Sequence, residues 1–269
     1  MNKTTIRRWA PWLALVVVFA LATSALSWWQ FDRRNQKVDR INQVVENYDR
    51  PPVAFESVDW IVNSDGNSDQ EWIPVRVSGE YIPEEAILVR NRPLNGQAGF
   101  LQLVPLRLEN GQILIVERGW LMASSELTFP QTNPLPSSGT HELVVRLRVG
   151  EPDLGREQAD TLASIDLVEA ASRLSDVGEV ITDRYGRMAS ENPDYSQTPL
   201  PMPKPSLNEG NHLSYAIQWI IFGIMAFIAF FWAYRNDRRL ALEAAGLVKP
   251  KVKRKTRADL DAEFEDASL

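Results

Sequence analysis

Two histidines, His141 and His212, and no cysteine occur in the 269 residues. This excludes a multi-histidine zinc or copper site built by the chain alone, thiolate ligation, thiol redox chemistry and a cysteine nucleophile. His212 follows Asn211 and precedes Tyr215 and Trp219 at the start of an uncharged stretch from Gly210 to Tyr234. Spacings of three and four residues place His212, Tyr215 and Trp219 on one helix face. A polar cluster entering an apolar segment has two readings. One is interfacial anchoring, since such side chains suit a half-wet headgroup zone. The other is ligation: a histidine at a membrane edge, walled by aromatic rings, can bind haem iron. Gln30, Arg33, Arg34 and Lys37 follow Trp28 and Trp29 at the end of another uncharged stretch. In a hairpin of the two stretches these cations lie level with His212. Guanidinium groups there can pair with carboxylates such as haem propionates, or snorkel to lipid headgroups. Arg118, in Glu117-Arg-Gly-Trp120 at the end of an apolar strand, suits a ligand contact or a structural ion pair equally.

The elements holding these residues follow from hydropathy. Trp9 to Gln30 and Gly210 to Tyr234 carry no charge, and each exceeds the roughly 20 apolar residues a helix needs to cross the hydrocarbon core. Trp9, Trp12, Trp28 and Trp29 bracket the first; Trp219, Trp232 and Tyr234 lie toward the ends of the second. Lys3, Arg7 and Arg8 precede the first span, and Arg235, Arg238 and Arg239 follow the second. By the positive-inside rule both termini are cytoplasmic. The segment between, Phe31 to Asn211, holds 17 basic and 28 acidic residues, and the two ends together 12 and 7. That asymmetry argues against a nucleic-acid partner for the outer domain. A cleaved signal peptide, with Ala22 and Ser24 as small cleavage residues, is the alternative for the first span. Its apolar run exceeds the usual h-region of about 7–15 residues, so retention is expected.

The expected organisation is a cytoplasmic N-terminus at 1–8, transmembrane helices at 9–29 and 212–234, an extracytoplasmic domain over 30–211 with a Pro-rich linker at 192–210, and a charged, disordered cytoplasmic tail at 235–269, its basic part placed to lie on anionic lipid. Arg34 to Asn47 reads as a surface helix with Val38, Ile41, Val45 and Tyr48 on one stripe, stopped by Pro51 and Pro52. Alternating or short apolar runs at Glu71–Tyr81, Ala86–Asn91, Phe100–Leu108, Ile113–Trp120 and His141–Val149 predict strands, with Asn110-Gly111 the best hairpin signal. Asp153 to Asp176 reads as helical or mixed. The fold class is therefore membrane α+β: two transmembrane helices flanking an extracytoplasmic, mainly antiparallel β domain, a small barrel or sandwich, with a few helices. No hydrolase, Walker, zincin or dinucleotide motif is present, and no pair of carboxylates is spaced as acid and base.

Several segments, in order, resemble the surfeit locus protein 1 family. They are Leu26, Trp29, Gln30, Arg33 and Lys37; Val77-Ser-Gly-Glu-Tyr81; Asn91-Arg-Pro93 with Gly96 and Gly99; Pro105-Leu106; Gly111 with Ile115-Val-Glu-Arg-Gly-Trp120; and Asn211-His-Leu-Ser-Tyr-Ala216 with Trp219. Ser27 stands where the family usually has glycine, and Glu117 where it usually has asparagine. The resemblance implies a two-span assembly factor for haem–copper cytochrome c oxidase that helps deliver or insert haem a into the catalytic subunit. It implies a haem contact at His212, the haem iron ligand, making haem a a transient cofactor. Tyr215, Trp219, Trp29, Gln30, Arg33, Arg34 and Arg118 complete the candidate set. The expected partners are the oxidase catalytic subunit, a haem a synthase and membrane lipid. A scaffold that stabilises an oxidase intermediate without haem, and a tethered extracytoplasmic enzyme or sensor, are the rival readings. Without an Arg- and Ser-rich transit segment, a bacterial plasma membrane is expected rather than a mitochondrial inner membrane.

Overall fold

The computed structural model describes residues 3–64, 66–126, 128–156, 160–174, 176–192 and 197–249. Most of the charged tail lies outside them. The elements are α1 (Lys3–Asn47), β1 (Val53–Ala54), β2 (Pro74–Tyr81), β3 (Ile87–Val89), β4 (Gly99–Leu108), β5 (Ile113–Met122), β6 (Thr140–Arg148), β7 (Thr161–Leu162), α2 (Leu167–Arg173), β8 (Tyr185–Asn192) and α3 (His212–Ala244). Two compact units result, one from residues up to Gln36 together with those from Gly210 on, the other from Lys37 to Glu209.

In the Lys37–Glu209 unit the sheet closes on itself. β2 pairs with β6 along almost its whole length and, at Gly79–Tyr81, with Leu108–Leu106 of β4. β6 pairs with β8, β8 with β5, and β5 with β4, so the circuit β2-β6-β8-β5-β4-β2 is complete. Only the β5–β8 contact within this ring is parallel. The barrel expected as one of two β architectures is the one formed. The Asn110-Gly111 hairpin also forms, with Gly111 at φ +86° and its N–H donating to the Leu108 carbonyl.

Alternation sorts the side chains. Val75 and Val77 (β2), Val104, Leu106 and Leu108 (β4), Leu114 and Val116 (β5) and Leu143, Val145 and Leu147 (β6) pack into one cluster. Leu101, Leu103 and Ile115 point the other way, into a second cluster with Leu162, Ile165 and α2. β4 and β5 are thus buried on both faces. α2 begins where the Asp166 carboxylate accepts from the N–H groups of Val168 and Glu169 at 2.8 and 3.1 Å.

Some expectations need correction. The first span and the helix expected at Arg34 are a single helix, because no breaker separates them. Its buried positions near the C-terminus are Val44 and Asn47; Val45 is 56% exposed. Asn47 belongs inside because its amide donates to the carbonyls of Asp69 and Glu71 at 3.0 and 2.9 Å. β2 starts only at Pro74, since Trp72 has φ +71°, and β3 ends before Asn91, at φ +58°. The strand β8, rich in polar residues, was not expected. The described part of the Pro-rich stretch is extended and tied down: Leu200 and Trp120 exchange two backbone hydrogen bonds of 2.8 Å.

Two positions yield tests. A Cβ on Gly99 would stand 2.3 Å from the Trp120 ring, so Gly99→Ala is expected to destabilise the unit by about 1–3 kcal/mol, read as a lower denaturant midpoint by tryptophan fluorescence. Burial raises the Glu151 carboxyl, but the Arg92 hydrogen bond, the Ile165 N–H and the Arg92 and Arg148 charges outweigh it and hold it below its ordinary value of 4.5. Its stabilisation is therefore full above that value and lost as pH falls through the depressed one. Glu151→Gln is expected to lower stability at neutral pH and flatten the decline below pH 4.5, measured as unfolding midpoints across a pH series.

Candidate functional site

Both α1 and α3 are long and apolar enough to cross a membrane, and only 11% of each apolar window is covered by protein. Trp12, Leu15, Val18 and Leu21 of α1 and Ile224, Ile228, Phe231 and Trp232 of α3 are all more than half exposed. Faces of that composition suit lipid. Such a pair of helices fits a two-pass membrane protein.

The two helices run antiparallel along a seam of small residues. Ser27 Oγ donates to the carbonyl of Ala216, which is wholly buried, at 3.0 Å. Further along, a Cβ on Gly223 would stand 2.9 Å from Thr23 Oγ1. At the far end Trp9 meets Phe230 and Tyr234 edge-on at 5.6 Å, its Nε1 donates to Asp237 at 3.1 Å, and Arg8 pairs with the same carboxylate. Small side chains let the backbones approach where lipid gives no hydrophobic drive. The serine at position 27 keeps this closeness and adds a hydrogen bond.

At the other end of the seam His212 meets Gln30, with Nδ1 3.0 Å from Oε1. In a neutral ring an amide oxygen can only accept from an Nδ1–H, and the tautomer that suits this contact has its lone pair on Nε2. No described residue hydrogen-bonds Nε2. Gly210, at φ +76°, keeps that edge of the ring clear; a Cβ there would begin 3.9 Å from Nε2. An amide that orients the ring through Nδ1 and leaves Nε2 without a described partner is compatible with metal ligation.

The other candidates fall into two groups. Trp29 is half exposed beneath the Arg33 guanidinium, 5.9 Å from the ring centre, and Arg33 donates to Gln36 at 3.3 Å. Arg34 is half-buried. Trp219 is half-buried and edge-on to Phe222 at 5.8 Å. Tyr215 is 50% exposed, since the seam runs through His212, Ala216 and Gly223 and leaves it on the flank.

Arg118 lies in the other unit, and the ion pair anticipated as one of its two roles is present. Gln102 pairs with Gly119 and Leu103 with Glu117, so Arg118 is the extra residue of a bulge. Its fully buried guanidinium donates to both Glu191 oxygens at 2.7 and 3.3 Å, to Gln102 at 3.0 Å and to the Pro134 carbonyl at 3.1 Å. Tyr81 packs beneath it, and burial, with the Glu191 charge, pushes that phenol well up. One strand position away, complete burial pushes the Glu117 carboxyl up although Arg187 donates to it at 2.9 Å. The Tyr185 phenol is pushed up to about 12 by burial and by the Glu117 charge.

The seam residues Thr23 and Gly223, and the role of Gly210, were not singled out from the sequence; Ser27 was noted only as standing in place of the family's usual glycine. The signal was available as small residues spaced by four at 23 and 27. The cysteine-free chain allows a direct check. Thr23→Cys combined with Gly223→Cys is expected to cross-link in membranes under mild oxidation, shown by a faster-migrating band that reductant removes. Val18→Cys with Gly223→Cys is the control that should not.

The SURF1 family model matches residues 17–224, from within α1 into α3. Among similar proteins, uncharacterized SURF1-like proteins of Mycobacterium tuberculosis and Mycobacterium bovis are 29% identical over 89% of this chain and 89% of theirs. A SURF1-like protein of Rickettsia felis is 22% identical over 84% of this chain and 96% of its own. The matched span takes in most of α1, the whole barrel and the first third of α3, with the His212–Gln30 pair inside it, and the chain belongs to the SURF1 family.

Proposed function

We propose that this protein is an assembly factor for haem–copper cytochrome c oxidase that hands haem a to the catalytic subunit, with His212 as a transient iron ligand. The family is known for cytochrome c oxidase assembly, which supplies the coarse part of the reading. The observation that carries the finer part is the His212–Gln30 contact at 3.0 Å with Nε2 left bare. Cargo that must be released suits one histidine better than a closed set of ligands. Arg33, exposed and stacked on Trp29, and Arg34 are the groups for the propionates. Trp219 and Tyr215 offer aromatic surface for the macrocycle. The charge asymmetry of the ends supports cytoplasmic termini, and the membrane in this reading is a bacterial plasma membrane. The chain's role is to bind, orient and release; bond-making chemistry is not required of it. The oxidase catalytic subunit and a haem a synthase are its partners in this reading.

The test is the visible spectrum of full-length protein co-produced with haem a synthesis enzymes. Wild type is expected to carry a Soret band that His212→Ala loses or shifts. Gln30→Leu should retain the ligand but weaken haem retention roughly 10-fold, the usual size of losing the group that orients a ligating histidine. If wild type carries no haem while oxidase assembly still depends on it, the protein is a scaffold without cargo.

A further inference from the structure

The wall formed by Arg90, Asn91 and Arg92, just after β3, separates two cavities of the barrel unit. The smaller, about 340 Å³, is lined by these three and by Glu151, Pro152, Leu154, Arg156 and Ser164 among others. The larger, about 870 Å³, opens on the other side, where Phe129, Thr161 and Asp160 join them. Among the described residues, only one of the three arginines at the smaller cavity has a carboxylate partner: Arg92 forks onto Glu151, with Nη1 to Oε1 at 2.9 Å. Arg90 is held instead by neutral acceptors. Its Nη1 donates to the Thr161 carbonyl and hydroxyl at 3.3 and 3.1 Å, and its Nη2 to the Arg156 carbonyl. These bonds orient the guanidinium without neutralising it and, among the described residues, leave its Nε–H and one Nη2–H unused. The Arg156 side chain makes no hydrogen bond or ion pair with any described residue, and neither does the Asn91 amide.

The backbone here is held under constraint. Asn91 sits at φ +58°. The Arg90 N–H donates to the Leu162 carbonyl at 3.0 Å, the Arg92 N–H to the Gly99 carbonyl at 2.9 Å, and Trp120 Nε1 to the Arg92 carbonyl at 2.5 Å. Bonds on both sides of Asn91 therefore fix the turn that forms the wall between the two cavities. With one acid against three arginines among its described lining residues, the smaller cavity is cationic there, inside a segment whose acidic residues outnumber its basic ones.

We propose that the cavity bounded by Arg90, Asn91 and Arg156 binds a compact oxyanion, a phosphate or carboxylate group, whose short apolar body lies on Pro152 and Leu154. Arg90 and Arg156 supply the charge-assisted hydrogen bonds, the Asn91 amide adds a neutral donor, and the Arg92–Glu151 pair forms the fixed side wall. This site is independent of the haem reading, since all its residues lie in the barrel unit.

Isothermal titration of the full-length protein in detergent, at physiological ionic strength with chloride as background, tests it. The probes are inorganic phosphate and glutarate. At least one is expected to bind, with Arg156→Ala, a change at an exposed side chain, weakening it roughly tenfold. Arg90→Lys, which keeps the charge but loses the fork, should weaken it as well. Preference for phosphate or for glutarate assigns the oxyanion. Absence of heat from both probes overturns the proposal, as does wild-type affinity in either variant; if Arg90→Lys fails to fold, Arg156→Ala alone decides.

Discussion

The short contact between β2 and β4 is the constraint on which the barrel depends. Gly79, Glu80 and Tyr81 meet Leu108, Arg107 and Leu106, and this register turns an open sheet into a ring. It requires glycine at position 79, where a Cβ would lie 2.5 Å from the Arg107 carbonyl oxygen and 2.9 Å from Leu106 Cγ. Closure removes the free edges of the central strands and encloses the cluster around Val75, Val104, Val116 and Val145. It also lets one polar group sit among them. The bulge at Arg118 re-aims a guanidinium to a place where Glu191, Gln102 and a carbonyl satisfy it. Without those partners a buried cation there would be strongly destabilising.

Much of this was legible in the sequence, and the reasons differ by element. β5 and β6 read as strands because β-branched and aliphatic residues dominate them. β8 did not, because Tyr185-Gly-Arg-Met-Ala-Ser-Glu-Asn192 carries no apolar alternation. It is a strand through its two neighbours, with backbone pairing to β6 and β5 overriding local preference. The helix stripe near Asn47 was shifted by one residue because hydropathy ranks valine above asparagine. The structure ranks Asn47 by the two carbonyls its amide satisfies. The loop arginines were equally opaque: nothing in a residue type tells which arginine faces a carboxylate and which faces only carbonyls.

The His212–Gln30 pair shows the same division. Residue types and hydropathy placed both side chains at the ends of uncharged stretches, at one depth of a hairpin. The contact itself depends on the rotation of each helix about its axis. That rotation is set by Ser27, Thr23, Ala216 and Gly223, which let the backbones close up, and by the Trp9–Asp237 contacts at the other end. The His212 ring is thus only as well oriented as the small residues one to three turns away allow.

The position of β8 in the ring bears on how the domain is made. β2, β4, β5 and β6 are all upstream of it, and without it they form a four-stranded sheet in the order β6-β2-β4-β5 with two unpaired borders. The β6 border and the middle of the β5 border are both covered by the same late segment, Tyr185–Asn192, with Glu179, Ile181 and Leu200 bonding the ends of β5. A chain emerging N-terminus first therefore exposes two adhesive strand edges until about residue 192 has appeared. Folding waits on the last strand, and a truncation before it removes the keystone rather than one stave, leaving a product prone to edge-to-edge aggregation.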